Sequence, residues 1–308
     1  MRAQPHALRD FGVAELDVFC AGRFFTSATF AELWAAKGGR PVIWTLTEGD
    51  RTVAILPGVE FGRAFLRRFM SMPDGCYGGV LCHPEHQADA PRLVAALTDA
   101  VLQAGYMRTF IFDFDGHMGC DPRFEAIRLQ TTLVDISNPD WLPPDKKLVS
   151  QIRKAEREGI VVGPMHWPEH GERFLALMHH TEKRHGKNPS FDRAFFERLA
   201  EAATVDDRLH WVWCEHEGQG VCSHIYIIEQ GMLQGWQIYF DKAYSFLKPN
   251  QYIRFQTCRR MARRGICWLN LGGTPENAPG LSYYKKRWGG DLYSYRGLVN
   301  KQGLGRFL

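Results

Sequence analysis

The residues best suited to chemistry lie between Tyr239 and Gly290. Lys285 follows two tyrosines, Tyr283 and Tyr284, and precedes Lys286. In a cleft beside aromatic rings such an ammonium can stabilise the oxyanion that develops during acyl transfer. On an open surface it is only a solvated charge. The loop feeding it, Leu271-GGTPENAP-Gly280, combines three glycines, two prolines and an asparagine. Its backbone can approach a ligand closely, so Gly272, Gly273 and the preceding Asn270 are candidate contacts. Upstream, Asp241 closes an apolar run that contains Trp236 and Tyr239. Phe246-LKP-Asn250 then opens a helix, with Pro249 suited to its first turn. The free N–H groups there, with Lys248, Asn250 and Gln251, can hold a phosphate or carboxylate, or simply cap the helix. His224, in Cys222-Ser-His-Ile225, is a candidate proton acceptor beside Glu229 and Asp241. Its unperturbed pKa lies near neutrality. The competing reading is a hydrogen-bonded strand histidine.

Other chemistries lack their residues. No Walker loop, GxGxxG, HExxH or GxSxG occurs. His166 and His170 flank Pro168, which disfavours one helix presenting both, and no metal site is expected. Eight cysteines are scattered without a CxxC pair, which reads as reduced and buried thiols. Arg259, Arg260, Arg263 and Arg264 share one side of a helix, either as a solvated face or as a contact for an RNA backbone.

Composition sets the frame. The 308 residues are 45% hydrophobic and 23% charged, which excludes a disordered chain and allows one large domain or two of similar size. Thirty-eight basic against 34 acidic residues give a net charge of +4, too mild for a generic polyanion binder. The basic groups cluster at Lys146 to Arg157, Arg254 to Arg264 and Lys285 to Arg287, which suggests a local cationic groove. No apolar run is long enough to span a membrane, and the first 20 residues lack a signal core, so a cytoplasmic protein is expected.

The elements that must position these residues occur in a repeated order. Helix, three-strand meander, helix, strand, short helix and strand read through the first half and again through the second. In the first half the short helix is placed at Arg123 to Ile127 and the third meander strand at Tyr77 to Cys82. In the second half, turns at Glu217-Gly218 and Gln230-Gly231 separate the meander strands, and a helix runs from Pro249 to Arg264. Prolines between the halves place a boundary near residue 140. The fold class expected is mixed α+β, with domains over 1–140 and 141–308, each a mostly antiparallel twisted sheet flanked by helices.

Four stretches carry a family resemblance. The tail Gly280-LSYYKKRWG-Gly290 resembles the ending of FemABX-type peptidyltransferases and their BioF2-like acetyltransferase relatives. Ser150-QIRKAERE-Gly159 resembles the helix opening their second half. Phe174-LALMHHTEKRH-Gly186 with Phe195-FER-Leu199, and the turn Ser71-MPDGCYG-Gly79, resemble two further family stretches in the same order. The resemblance implies tandem GNAT-like domains and acyl transfer onto an amine, from aminoacyl-tRNA in one branch and acyl-CoA in the other. It gives Lys285 the role of steadying the transition state, with Tyr284 as the aromatic residue before it. It makes Arg184, Arg153 and Lys154 phosphate-contact candidates. The family's pyrophosphate loop is replaced by Phe246-LKPN-Gln251, which leaves the donor open.

The first half lacks a counterpart of the Tyr283 to Lys286 cluster. It is expected to be catalytically silent, a cleft wall offering acceptor contacts through Tyr77, Asp74 and Arg68. The function expected is an N-acyltransferase on a cell-envelope or exopolysaccharide precursor. It would hold no tight cofactor and use a phosphate-bearing small molecule or tRNA as donor. A non-catalytic ligand-binding module in envelope assembly, and a CoA-dependent N-acetyltransferase of a small amine, are the alternatives.

Overall fold

The computed structural model describes residues 1–20, 22–74, 77–186, 190–275 and 278–303. They fall into two compact units, Met1–Leu129 with Ser294–Leu308, and Gln130–Tyr293.

The first unit opens with β1 (Arg2–Ala7), α1 (Val13–Phe19) and α2 (Ala28–Leu33). Strands β2 (Arg40–Glu48), β3 (Arg51–Phe61), β4 (Arg68–Ser71) and β5 (Leu81–Cys82) follow. Helix α3 (Ala90–Gln103) and strand β6 (Arg108–Asp113) come next. The strand order is β1-β2-β3-β4-β6, with β5 also paired to β3. Pair β4–β6 is parallel and the others are antiparallel. Leu93, Leu97 and Val101, at helical spacing on α3, pack into one core with Val42, Leu56 and Ile111 from the strands.

Strand β7 (Glu125–Asp135) carries the chain into the second unit. There follow α4 (Lys146–Arg157), β8 (Val161–Pro164), α5 (Trp167–Arg184) and α6 (Arg193–Ala203). The meander β9 (Leu209–His216), β10 (Gln219–Glu229) and β11 (Met232–Phe240) comes next. Helix α7 (Pro249–Ala262), strand β12 (Trp268–Gly273) and helix α8 (Pro279–Lys286) complete the unit. Its strand order is β7-β12-β11-β10-β9-β8, and β11–β12 is its parallel pair. Strand alternation sorts the side chains into two clusters. Val212, Cys214, Cys222 and Tyr226 join Leu148, Ile253 and Trp288 in one core. Trp211 and Tyr239 pack instead on Phe174 and Phe196 of α5 and α6. The last strand, β13 (Asp291–Lys301), pairs with β6 of the first unit over Arg296 to Lys301.

Each unit is thus a mostly antiparallel sheet flanked by helices. Two local expectations are corrected. Residues 123–127 do not form a helix, because β7 begins at Glu125 and sheet pairing overrides a weak local preference. The strand expected over Tyr77 to Cys82 is confined to Leu81–Cys82. Gly75 and Cys76 of the Ser71 to Gly79 turn, and Glu276 and Asn277 of the glycine-rich loop, lie outside the described residues.

Candidate active site

Parallel strands β11 and β12 pair only from Met232–Trp268 to Gln234–Asn270. Beyond that point their ladder stops, although β11 continues to Phe240 and β12 to Gly273. Glycines follow the last pair on both strands and let the backbones stay close. A Cβ on Gly272 would lie 3.4 Å from the Gly235 carbonyl oxygen. Asn270 shapes the turn of β12, since its Oδ1 accepts from Gly272 N at 2.8 Å and from the Thr131 hydroxyl.

Lys285, in the last turn of α8, reaches back to this turn. Its Nζ donates to Gly272 O at 2.6 Å, Gly273 O at 2.7 Å and the Thr274 hydroxyl at 2.8 Å. An ammonium has three N–H groups, so all are used. The side chain is buried. Burial first, and then the charge of Arg254, bring its pKa down to about 8. Lys285 therefore remains mostly protonated at neutrality while being easier to deprotonate than a surface lysine.

Arg254, on the buried side of α7, is its cationic neighbour. It donates from Nη1 to the Tyr284 hydroxyl at 2.7 Å and also hydrogen-bonds Tyr226. Its guanidinium lies over the Tyr284 and Trp288 rings, 5.6 Å and 5.3 Å from their centroids. His224 continues the network. Nδ1 is 2.7 Å from the Tyr226 hydroxyl and Nε2 is 3.0 Å from Asn250 Oδ1. With that carbonyl oxygen facing it, Nε2 carries the proton and Nδ1 accepts from Tyr226. Burial first, and then the Arg254 charge, push His224 down to about 3. The expectation of a base titrating near neutrality is overturned by this environment. His224 is a neutral structural link with both nitrogens engaged.

The remaining expected residues have neighbours of their own. Trp236 packs on Phe191 and Phe195, and Tyr239 on Phe174. Tyr284 packs with the other core, so Trp236, Tyr239 and Tyr284 do not form one aromatic wall. Asp241 caps the turn after β11 through Ala243 N and binds Arg173 at 2.8 Å. Burial pushes its carboxyl up, but the Ala243 amide and Arg173 outweigh this and hold it below the usual range. Lys248 and Gln251 are half-buried at the start of α7, where Lys248 takes a left-handed conformation as the N-cap. Lys154 lies over the Phe246 ring and Arg184 over Phe240. Arg153 is exposed on α4. Tyr77 belongs to the first unit, where it stacks on Phe114 with centroids 3.9 Å apart. Arg68 and Asp74 are exposed there.

Residues 146–286 match the acetyltransferase (GNAT) domain family. The matched stretch contains α4 through α8, including the β11–β12 parting and Lys285. Solved structures share the fold over nearly the whole chain. FemX is 13% identical with a TM-score of 0.70, covering 96% of this chain and 97% of its own. L-PGS from Bacillus licheniformis is 14% identical with a TM-score of 0.60, covering 87% of this chain and 86% of its own. A tandem GNAT protein from the clavulanic acid biosynthesis pathway is 11% identical with a TM-score of 0.57, covering 98% of both chains. No curated protein matches in sequence. The tandem GNAT-like fold implied by the family resemblance is the fold observed, and it agrees with the two similar halves read from the repeated element order.

Arg254, Tyr226 and Thr274 belong to the polar network of this stretch but carry no motif. The signal for Arg254 was helical phase. It shares a buried stripe with Cys258 and Met261, four and seven residues on, where an arginine is out of place.

Proposed function

We propose that the second unit is a cytoplasmic N-acyltransferase, and that the first unit carries no transfer chemistry. The donor is a phosphate-bearing acyl carrier, an acyl-CoA or an aminoacyl-tRNA, and the acceptor is an amine of a cell-envelope or exopolysaccharide precursor. The observation that carries this reading is the buried Lys285 ammonium at the parting of β11 and β12, within the stretch that matches the GNAT family. The acceptor nitrogen attacks the donor carbonyl, the carbonyl oxygen becomes an oxyanion, and collapse breaks the bond to the carrier. Lys285 steadies that oxyanion when it replaces the Thr274 hydroxyl, the uncharged and exchangeable partner of Nζ. The nitrogen's proton leaves to a group brought by the substrates, because His224 is too weak a base and Asp241 is tied to Arg173. The leaving sulfur or oxygen of the carrier takes up a proton in turn.

The test is a mass-spectrometric search for N-acylated product. Acyl-CoA and charged tRNA serve as donors, with UDP-linked amine precursors and small amines as acceptors. One donor class should give product, and Lys285→Met should lower turnover by about 100-fold or more with the fold retained. Equal turnover in Lys285→Met would remove the assigned role. Product from acetyl-CoA and a small amine alone would select the simple acetyltransferase reading.

A further inference from the structure

Among the described residues of the second unit, Arg254 and Lys285 are the buried cations. No carboxylate among the described residues pairs with either one. Other arginines of this unit have such partners, as in Arg173–Asp241 at 2.8 Å, Arg208–Asp206 at 2.6 Å and Arg287–Asp145 at 3.1 Å. The partners of Arg254 and Lys285 are neutral hydroxyls and backbone carbonyls. They satisfy donors but cancel no charge, and the two cations repel each other. Two donors are left over as well. Arg254 Nε and Trp288 Nε1 are both buried without a hydrogen-bond partner, and the guanidinium lies over the Trp288 ring. A cluster with surplus positive charge and unused N–H groups lacks one kind of component, an acceptor that is also an anion. Water could meet the donors but not the charge.

We propose that Arg254 and Lys285, with the Trp288 indole N–H beside them, form a binding site for an oxyanion, a carboxylate or phosphate group. Planar forked donors such as a guanidinium suit either group. That the oxyanion belongs to a substrate rests on the transferase reading; the anion site itself does not.

The test is melting of the full-length protein in sodium acetate and in sodium phosphate, each against sodium chloride at equal ionic strength. A saturable rise in Tm with acetate alone identifies a carboxylate site, and one with phosphate alone a phosphate site. Arg254→Met should abolish the rise without lowering Tm in chloride, because it removes an uncompensated buried charge. Arg254→Lys should keep a weakened response. No oxyanion-specific rise in the parent protein would overturn the proposal. So would an Arg254→Met protein that melts lower in chloride with the response unchanged, which would make Arg254 a structural tie between Tyr226 and Tyr284. Absence of turnover with the anion response intact would defeat the transferase reading and leave the anion site standing. Unchanged KM in Arg254→Met would detach the anion from the substrate.

Discussion

His224 shows how environment decides the chemistry of a residue. Its ordinary pKa of 6.5 falls to about 3 in the fold, so the folded protein binds the proton less readily than the unfolded chain. The stabilisation is complete above pH 6.5 and is lost as pH falls toward 3. Its size is at most on the order of 5 kcal/mol. Denaturant titrations across that range should show a steep acid loss in the parent protein and a shallower one in His224→Gln. Parallel curves would show that His224 is not the group being titrated. A sequence identifies a histidine in an apolar strand, but not the guanidinium that a helix some thirty residues later brings against it. Lys285 was legible because its neighbours carry a motif. That the Gly272 and Gly273 carbonyls and the Thr274 hydroxyl turn to its Nζ was not, since the sequence marked the two glycines only as ligand contacts and leaves the course of the chain past Asn270 open. Trp236 and Tyr239 were drawn to the site by proximity along β11. Their packing on α5 and α6 follows from which side of the sheet each side chain takes, with a bulge near Tyr226 changing the phase.

Elements were most readable where a turn demands particular residues. Both meander hairpins turn at the expected dipeptides, Glu217-Gly218 and Gln230-Gly231, with positive φ at all four positions. That conformation suits the twist of antiparallel strands. The turn at Ser71 to Gly79 makes a sharper demand. A Cβ on Gly78 would lie 2.0 Å from the Ser71 carbonyl oxygen, while Gly78 N donates to Phe112 O at 2.9 Å. Backbone cannot yield there as a flexible side chain would. Gly78→Ala should therefore lower stability by about 2–3 kcal/mol, seen as a lower Tm and earlier unfolding in urea. An unchanged midpoint would mean that this turn has room the geometry does not show. Short elements were the least readable. The four residues of β4 give too little alternation to register as a strand, and they are recognised only by pairing with β3 and β6.

At the scale of the whole molecule, the repeated element order was visible in the sequence, but the destination of the last strand was not. Strand partners are set by distant chain, and nothing local to Asp291–Lys301 points to β6. Arg296 fixes that return by binding Asp113 at 2.6 Å, with the carboxylate buried. Arg296→Met should cost about 3 kcal/mol, because it strands a buried charge. Removing residues 291–308 should unfold the first unit, detected as loss of amide-exchange protection in β6 and its neighbours. Retained protection there would show that the first unit does not need β13. The same threading orders events during synthesis. The ribosome completes residues 1–129 long before it makes residues 294–301, so the β6 edge that β13 will cover is made well ahead of its partner. Throughout that interval the nascent first unit lacks its completing strand, and the unpaired β6 segment is the kind of surface on which two unfinished chains can pair with each other. Slow elongation through residues 130–293 should therefore increase co-aggregation of nascent chains, and a chaperone that covers unpaired strands should relieve it.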